Sequence, residues 1–176
     1  MSIKYFVSSL VILGFLGGCA TPKSPDELRQ HVRSHGAYTK LETFVVQRPY
    51  SAVVQSIKSK SEDCLKKTFR HTVKPASLLP TGEKDMGTTS YVPVSKIGPA
   101  RAEFYAKWAD NTKGNFGIQK GDQFIFYVAD VTPKGPNATS IDLYYYTHDR
   151  YIWARDFLKA WARGEDPGCP KFSGYY

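Results

Sequence analysis

Methionine occurs twice and cysteine three times in 176 residues. Three cysteines are too few for the disulfide-dense scaffold of a small secreted domain. They include no C-x-x-C and no paired Cys/His spacing, which excludes a zinc ribbon or finger. Acidic side chains are also scarce, at 16 against 24 Lys and Arg, so the formal charge is +8. A hydrophobic run of roughly 20 residues, the length needed to span a bilayer core, is absent; the largely apolar stretch Tyr5–Leu16 is much shorter. The catalytic sequence signatures are missing too. No G-x-S-x-G marks a serine nucleophile, and no P-loop, dinucleotide fingerprint or H-E-x-x-H appears. The sequence therefore offers no catalytic residue and implies no metal or other cofactor. Hydrophobic residues make up 41% and aromatics 14%, enough for a packed core.

The most informative stretch is at the start. Lys4 precedes the run Tyr5–Leu16, Leu16-Gly17-Gly18-Cys19 follows, and the chain then turns polar at Thr21, Pro22, Lys23 and Ser24. A basic start and a short apolar run fit the h-region of an export signal. Leu, two small residues and then Cys resembles the lipobox of bacterial lipoproteins, over residues 1–20 only. The resemblance implies cleavage before Cys19 and a diacylglycerol thioether on its sulfur. The thiolate supplies the nucleophile for that bond, and stable anchoring takes at least two acyl chains. In Gram-negative lipoproteins an Asp after the cysteine retains the protein at the inner membrane. Ala20 stands there instead, so the resemblance implies the outer membrane, on its periplasmic side, with the lipid bilayer as a partner through acylated Cys19.

Removing residues 1–18 leaves 158, enough for one domain, and the loss of Lys4 leaves a charge of +7. Residues 19–40 read as lipidated cysteine, tether and short helix, and 41–176 as a single domain. A basic chain suggests nucleic acid, but export argues against it. An anionic glycan or lipid, or another envelope protein, suits an anchored basic domain better. With Cys19 assigned to lipid, Cys64 and Cys169 remain as an even pair in an oxidising compartment, and a disulfide between them is expected.

Ser24-Pro25-Asp26-Glu27 reads as a helix start, with Ser24 as N-cap and Glu27 completing a capping box. That helix is expected to run to His35, to end at Gly36 and to dock loosely, because it has few apolar residues. A strand over Leu41–Gln47 precedes a helix over Ser51–Lys67, whose apolar face holds Ala52, Val53, Ile57, Ser61, Cys64 and Leu65. Thr68–Lys74 reads as a strand. Residues 75–100, rich in Pro and Gly, read as irregular, with at most a short edge strand at Tyr91–Val94 because Pro93 argues against a central one. Period-two alternation from Arg101, a brief strand near Phe116–Gln119, and strands at Gln123–Val131 and Thr139–Thr147 follow, the last two as an antiparallel hairpin. A final helix is expected over Arg150–Arg163, ended by Gly164. The predicted fold is α+β: a mostly antiparallel sheet packed on one face by two main helices, in β-α-β-β-β-β-α order, after a short N-terminal helix. That order is similar in topology to helix-grip and TATA-binding-protein-like domains.

Few residues look chemically active. His148-Asp149-Arg150 sits where the last strand hands over to the last helix, but neighbours in a strand face opposite ways, and Asp149 suits a helix N-cap. His31 and His35 have a helical metal-ligand spacing without a third ligand. Tyr144-Tyr145-Tyr146, with Tyr151, Tyr175 and Tyr176, form an aromatic excess. Tyr144, Tyr146 and His148 are the candidate binding residues, with at least one of the three consecutive tyrosines expected in the core. The resulting expectation is a non-enzymatic envelope lipoprotein with an accessory or binding role. A small hydrolase or glycan-active enzyme using His148, or a carrier of a lipid or other hydrophobic ligand, are the alternatives.

Overall fold

The computed structural model describes residues 21–73, 84–110 and 123–171. Helix α1 covers Pro25–Arg33, strand β1 Thr39–Val46, helix α2 Tyr50–Leu65 and β2 Lys67–Val73. Four strands follow, β3 (Lys84–Ile97), β4 (Ala102–Asp110), β5 (Gln123–Gly135) and β6 (Ala138–Tyr146), and helix α3 (Asp149–Arg163) closes the fold. The six strands form one antiparallel sheet in the order β1-β6-β5-β4-β3-β2. This is the α+β architecture expected from the alternation of patterns.

β1 and β2 occupy opposite edges although only α2 separates them in sequence. Five strand spacings amount to about 24 Å, and a helix of 16 residues is about 24 Å long. α2 therefore crosses the whole sheet. Its buried residues, Val53, Val54, Ile57, Ser61, Cys64 and Leu65, face the strands. α3 packs beside it through Ala154, Leu158, Trp161 and Ala162, and together they cover Phe104, Phe126, Tyr127, Leu143 and Tyr145.

Three local results differ from the sequence reading. β3 is a strand of 14 residues in place of an irregular stretch with a short edge strand. Pro93 is tolerated because the β2 pairing ends at Tyr91; beyond it, Val92–Ile97 pair only with β4, and this part of the strand is an edge where a missing N–H costs nothing. β5 continues through Thr132 and Pro133, with a register shift between Pro133 and Gly135. The last helix starts one residue early: the His148 carbonyl accepts from the N–H groups of Tyr151 (2.8 Å) and Ile152 (3.0 Å), so His148 holds the cap position and Asp149 lies in the first turn, where its charge suits the helix dipole. The strand proposed near Phe116–Gln119 lies outside the described residues.

α1 does not join the other helices. It lies on the opposite face of the sheet, over a second cluster made by Leu28, Val32, Tyr105, Ile125, Val128 and Tyr144. Ser24 caps it as expected, its Oγ accepting from the Glu27 N–H at 3.2 Å, while the Glu27 carboxylate accepts from the N–H of Lys23 at 2.7 Å. At the other end His35, not Gly36, takes the left-handed conformation (φ +58°). His35 N–H bonds the Val32 carbonyl and Gly36 N–H bonds that of His31, the paired arrangement of a Schellman end. A Cβ at Gly36 would lie 2.3 Å from the His31 imidazole, which would have to move aside. Because the helix stops at Arg33, His31 and His35 are not on one helical face.

Candidate functional site

The polar feature that organises the α1 face is a row of side chains running across five strands. Strand register puts Lys96 opposite Glu103, Glu103 opposite Asp130, Asp130 opposite Asp142, and Asp142 opposite Thr43. Three carboxylates on adjacent strands repel one another when directly opposed. Asp142 is engaged by the Thr43 hydroxyl at 2.6 Å. The other two are engaged from above by Arg29, whose Nε and Nη2 donate to Asp130 at 2.9 and 2.7 Å and whose Nη2 also donates to Glu103. Nη1 reaches Asp26 one turn back, at 2.7 Å. Arg101 adds a second cation to Asp130 at 2.9 Å, and Lys96 one to Glu103 at 2.9 Å.

Burial makes this more than a surface network. The Arg29 side chain is 7% exposed, Glu103 12% and Asp130 10%. Burial alone would lower the pKa of Arg29, but the hydrogen bonds and charges of Asp130 and Glu103 outweigh it and hold the pKa above its ordinary value. Burial likewise pushes Glu103 up, and the donors Arg29 and Lys96 overcome it and keep the carboxyl below its usual range. Arg29 is thus a cation fixed between Asp130 and Glu103. Tyr144 lies beneath it, with the guanidinium carbons of Arg29 and Arg33 5.9 and 6.0 Å from the ring centroid.

Beside the row opens a cleft of about 440 Å³ lined by Asp26, Arg29, Lys96, Ile97, Gly98, Arg101 and Glu103. Charges of both signs line it, and those charges are already matched to one another. The ion pairs that match them hold α1 on the sheet.

The opposite end of the sheet is where the chain enters. Pro22 is buried, and its carbonyl accepts from the N–H of Ile125 at 2.9 Å. Ile125 is fully buried, and the β5–β6 pairing stops at Tyr127–Tyr145. Pro22 therefore satisfies an N–H that β6 no longer reaches. On the same level the Thr147 N–H bonds the Tyr38 carbonyl at 2.7 Å.

The expected site residues distribute as follows. Cys19, Tyr175 and Tyr176 lie outside the described residues. Cys64 and Cys169 form a disulfide spanning 105 residues, with 5.0 Å between Cα atoms. It ties the tail after α3, where Pro170 is buried, to the end of α2. Tyr144 is 5% exposed and is covered by α1, so its ring is not offered to a partner. Tyr145 is buried on the other face. Tyr146 is half-buried between His31 (6.1 Å) and Phe124 (5.8 Å); burial, with Tyr151 nearby, pushes its phenol up to about 12. His148 is exposed, with its ring 6.4 Å from that of Tyr151, and it does not border the charged cleft.

Sequence reading missed Arg29, Glu103 and Asp130 because their positions are widely separated. A signal was present: Asp130 is the one charge in the Gln123–Val131 run, and Arg29 lies beside Leu28 on the apolar side of α1. Among the described residues no helix is long and apolar enough to cross a membrane. Neither a known protein-family model nor a curated protein sequence matches the chain.

Proposed function

We propose that this chain is a bacterial lipoprotein, cleaved before Cys19, acylated there, and held at the periplasmic face of the outer membrane as a non-enzymatic accessory or binding subunit. One observation carries the reading furthest. The Cys64–Cys169 bridge suits an exported protein and accounts for the other two cysteines of the sequence, which leaves Cys19 for lipid. Supporting it, the basic charge of the chain favours contact with anionic envelope material, whether lipid, glycan or an acidic protein surface. The two alternatives find less support. His148 is exposed at the start of a helix, away from the charged cleft, which gives a hydrolase no evident centre. The cleft described among these residues is lined by charged side chains, whereas a lipid carrier needs an apolar cavity.

The test is metabolic labelling with an alkynyl fatty acid in a Gram-negative host, followed by detergent phase separation. The native chain is expected to carry label and enter the detergent phase, and Cys19→Ser to lose both properties. A native chain that stays unlabelled in the aqueous phase would overturn the proposal.

A further inference from the structure

The geometry points to a docking surface: the end of the sheet that carries Pro22 and Tyr38 rests on the headgroup layer of the bilayer that holds the anchor. This rests on the proposed acylation of Cys19 and adds orientation and contact to it. A lipoprotein tether is commonly pictured as a leash, but here it has almost no length. Pro22 is buried and bonded to β5, and only Ala20 and Thr21 separate it from Cys19. Three Cα steps span at most about 11 Å. The thioether-linked glycerol sits at the boundary between hydrocarbon and headgroups, and the headgroup layer is itself roughly 5–7 Å deep. The β5 entry point can therefore stand no more than about 4–6 Å above the headgroup layer, which keeps this end of the sheet against the lipid surface.

Tyr38 belongs to the same end. Ile125, Thr147 and Tyr38 lie at one level on β5, the end of β6 and the start of β1, two strand spacings across, or about 10 Å. At 72% exposure Tyr38 is the most exposed of the large hydrophobic residues described. It is not exposed through slackness. Its carbonyl is held by the Thr147 N–H, and the Thr39 hydroxyl donates to the Gly36 carbonyl at 2.7 Å. Its backbone is in the left-handed region at φ +58°, a conformation a non-glycine residue adopts only under constraint. A rigid turn thus presents an amphipathic ring beside the anchor, at the depth where Tyr and Trp prefer to sit, ring among the acyl–headgroup boundary and hydroxyl in water. The other end of the sheet, at the β5–β6 turn, lies about 30 Å away along β5.

The experiment uses the full chain, processed in a Gram-negative host and reconstituted into phosphatidylethanolamine–phosphatidylglycerol vesicles. A nitroxide is placed at position 38 (Tyr38→Cys) or, as the distant reference, at the exposed turn residue Asn137 (Asn137→Cys). Collision with a water-soluble nickel complex should be at least about threefold lower at 38 than at 137, because bilayer contact excludes the polar relaxant. As a measurement without substitution, amine-reactive footprinting of the native chain in the same vesicles should protect Lys40, beside Tyr38, relative to Lys134 at the far turn. N-terminal mass is recorded on each sample. Acylated protein with equal accessibility at both nitroxides and both lysines would overturn the docking surface and leave the anchor standing. Protein without acyl chains would overturn the anchor and the surface with it.

Discussion

Removing Arg29 tests whether the charged row is what fixes α1 to the sheet. Arg29→Met keeps most of the side-chain stem and deletes the guanidinium. Glu103 and Asp130, 12% and 10% exposed, would then be buried carboxylates facing one another across β4 and β5. Arg101 and Lys96 still reach them, but those side chains are more than half exposed and are screened by solvent. Removing one partner of a buried ion pair costs about 3–5 kcal/mol, a large share of the roughly 5–15 kcal/mol that stabilises an ordinary domain. Urea unfolding followed by tryptophan fluorescence measures the loss, and amide exchange along Pro25–Arg33 shows whether α1 detaches first. Adding Glu103→Gln and Asp130→Asn to Arg29→Met should recover most of the loss, because the penalty comes from stranded charge. A cost below about 1 kcal/mol, the range of a surface ion pair, would refute the reasoning, as would a triple variant weaker than the single one.

Further outcomes follow from the same contacts. Glu103 has its folded pKa held below the unfolded value of about 4.3, so its contribution is complete above that pH and is lost as pH falls through the folded value. Unfolding between pH 5 and 3 should show a steeper loss in the native protein than in Arg29→Met. Cys64→Ser with Cys169→Ser should lower stability by up to about 4–5 kcal/mol, the chain-entropy value for a loop near 100 residues, and should expose the tail after Gly164 to proteolysis. Gly164→Ala should cost at least about 1 kcal/mol by the same unfolding assay: its φ is +82° and a Cβ would lie 2.7 Å from the Arg48 guanidinium, which caps α3 by donating to the Ala162 carbonyl.

The sequence carried most of the sheet because period-two alternation and turn residues are local signals. The β5–β6 hairpin and the buried stripe of α2 were legible from them. What it hid was long-range. Pro93 fits the edge position expected of it, but only the register of β2 shows that the strand around it is 14 residues long and that Val92–Ile97 have a free side. α1 looked weakly apolar because one of its three buried residues is an arginine, and its partners Glu103 and Asp130 are recognisable only once β4 and β5 are paired. At least one of the three consecutive tyrosines was expected in the core; alternation sends Tyr144 and Tyr145 to opposite buried faces, so Tyr144 is not the binding residue it was expected to be. Among the described residues the exposed tyrosine, Tyr38, had no pattern around it, because its presentation depends on the left-handed turn after α1.

Lipid anchoring is tested most directly at the mature N-terminus. Intact mass and fragment spectra of the protein taken from bacterial envelopes should begin at Cys19, with a diacylglyceryl group on its sulfur. A mature chain that begins elsewhere, or a Cys19 that carries a free thiol, would contradict it.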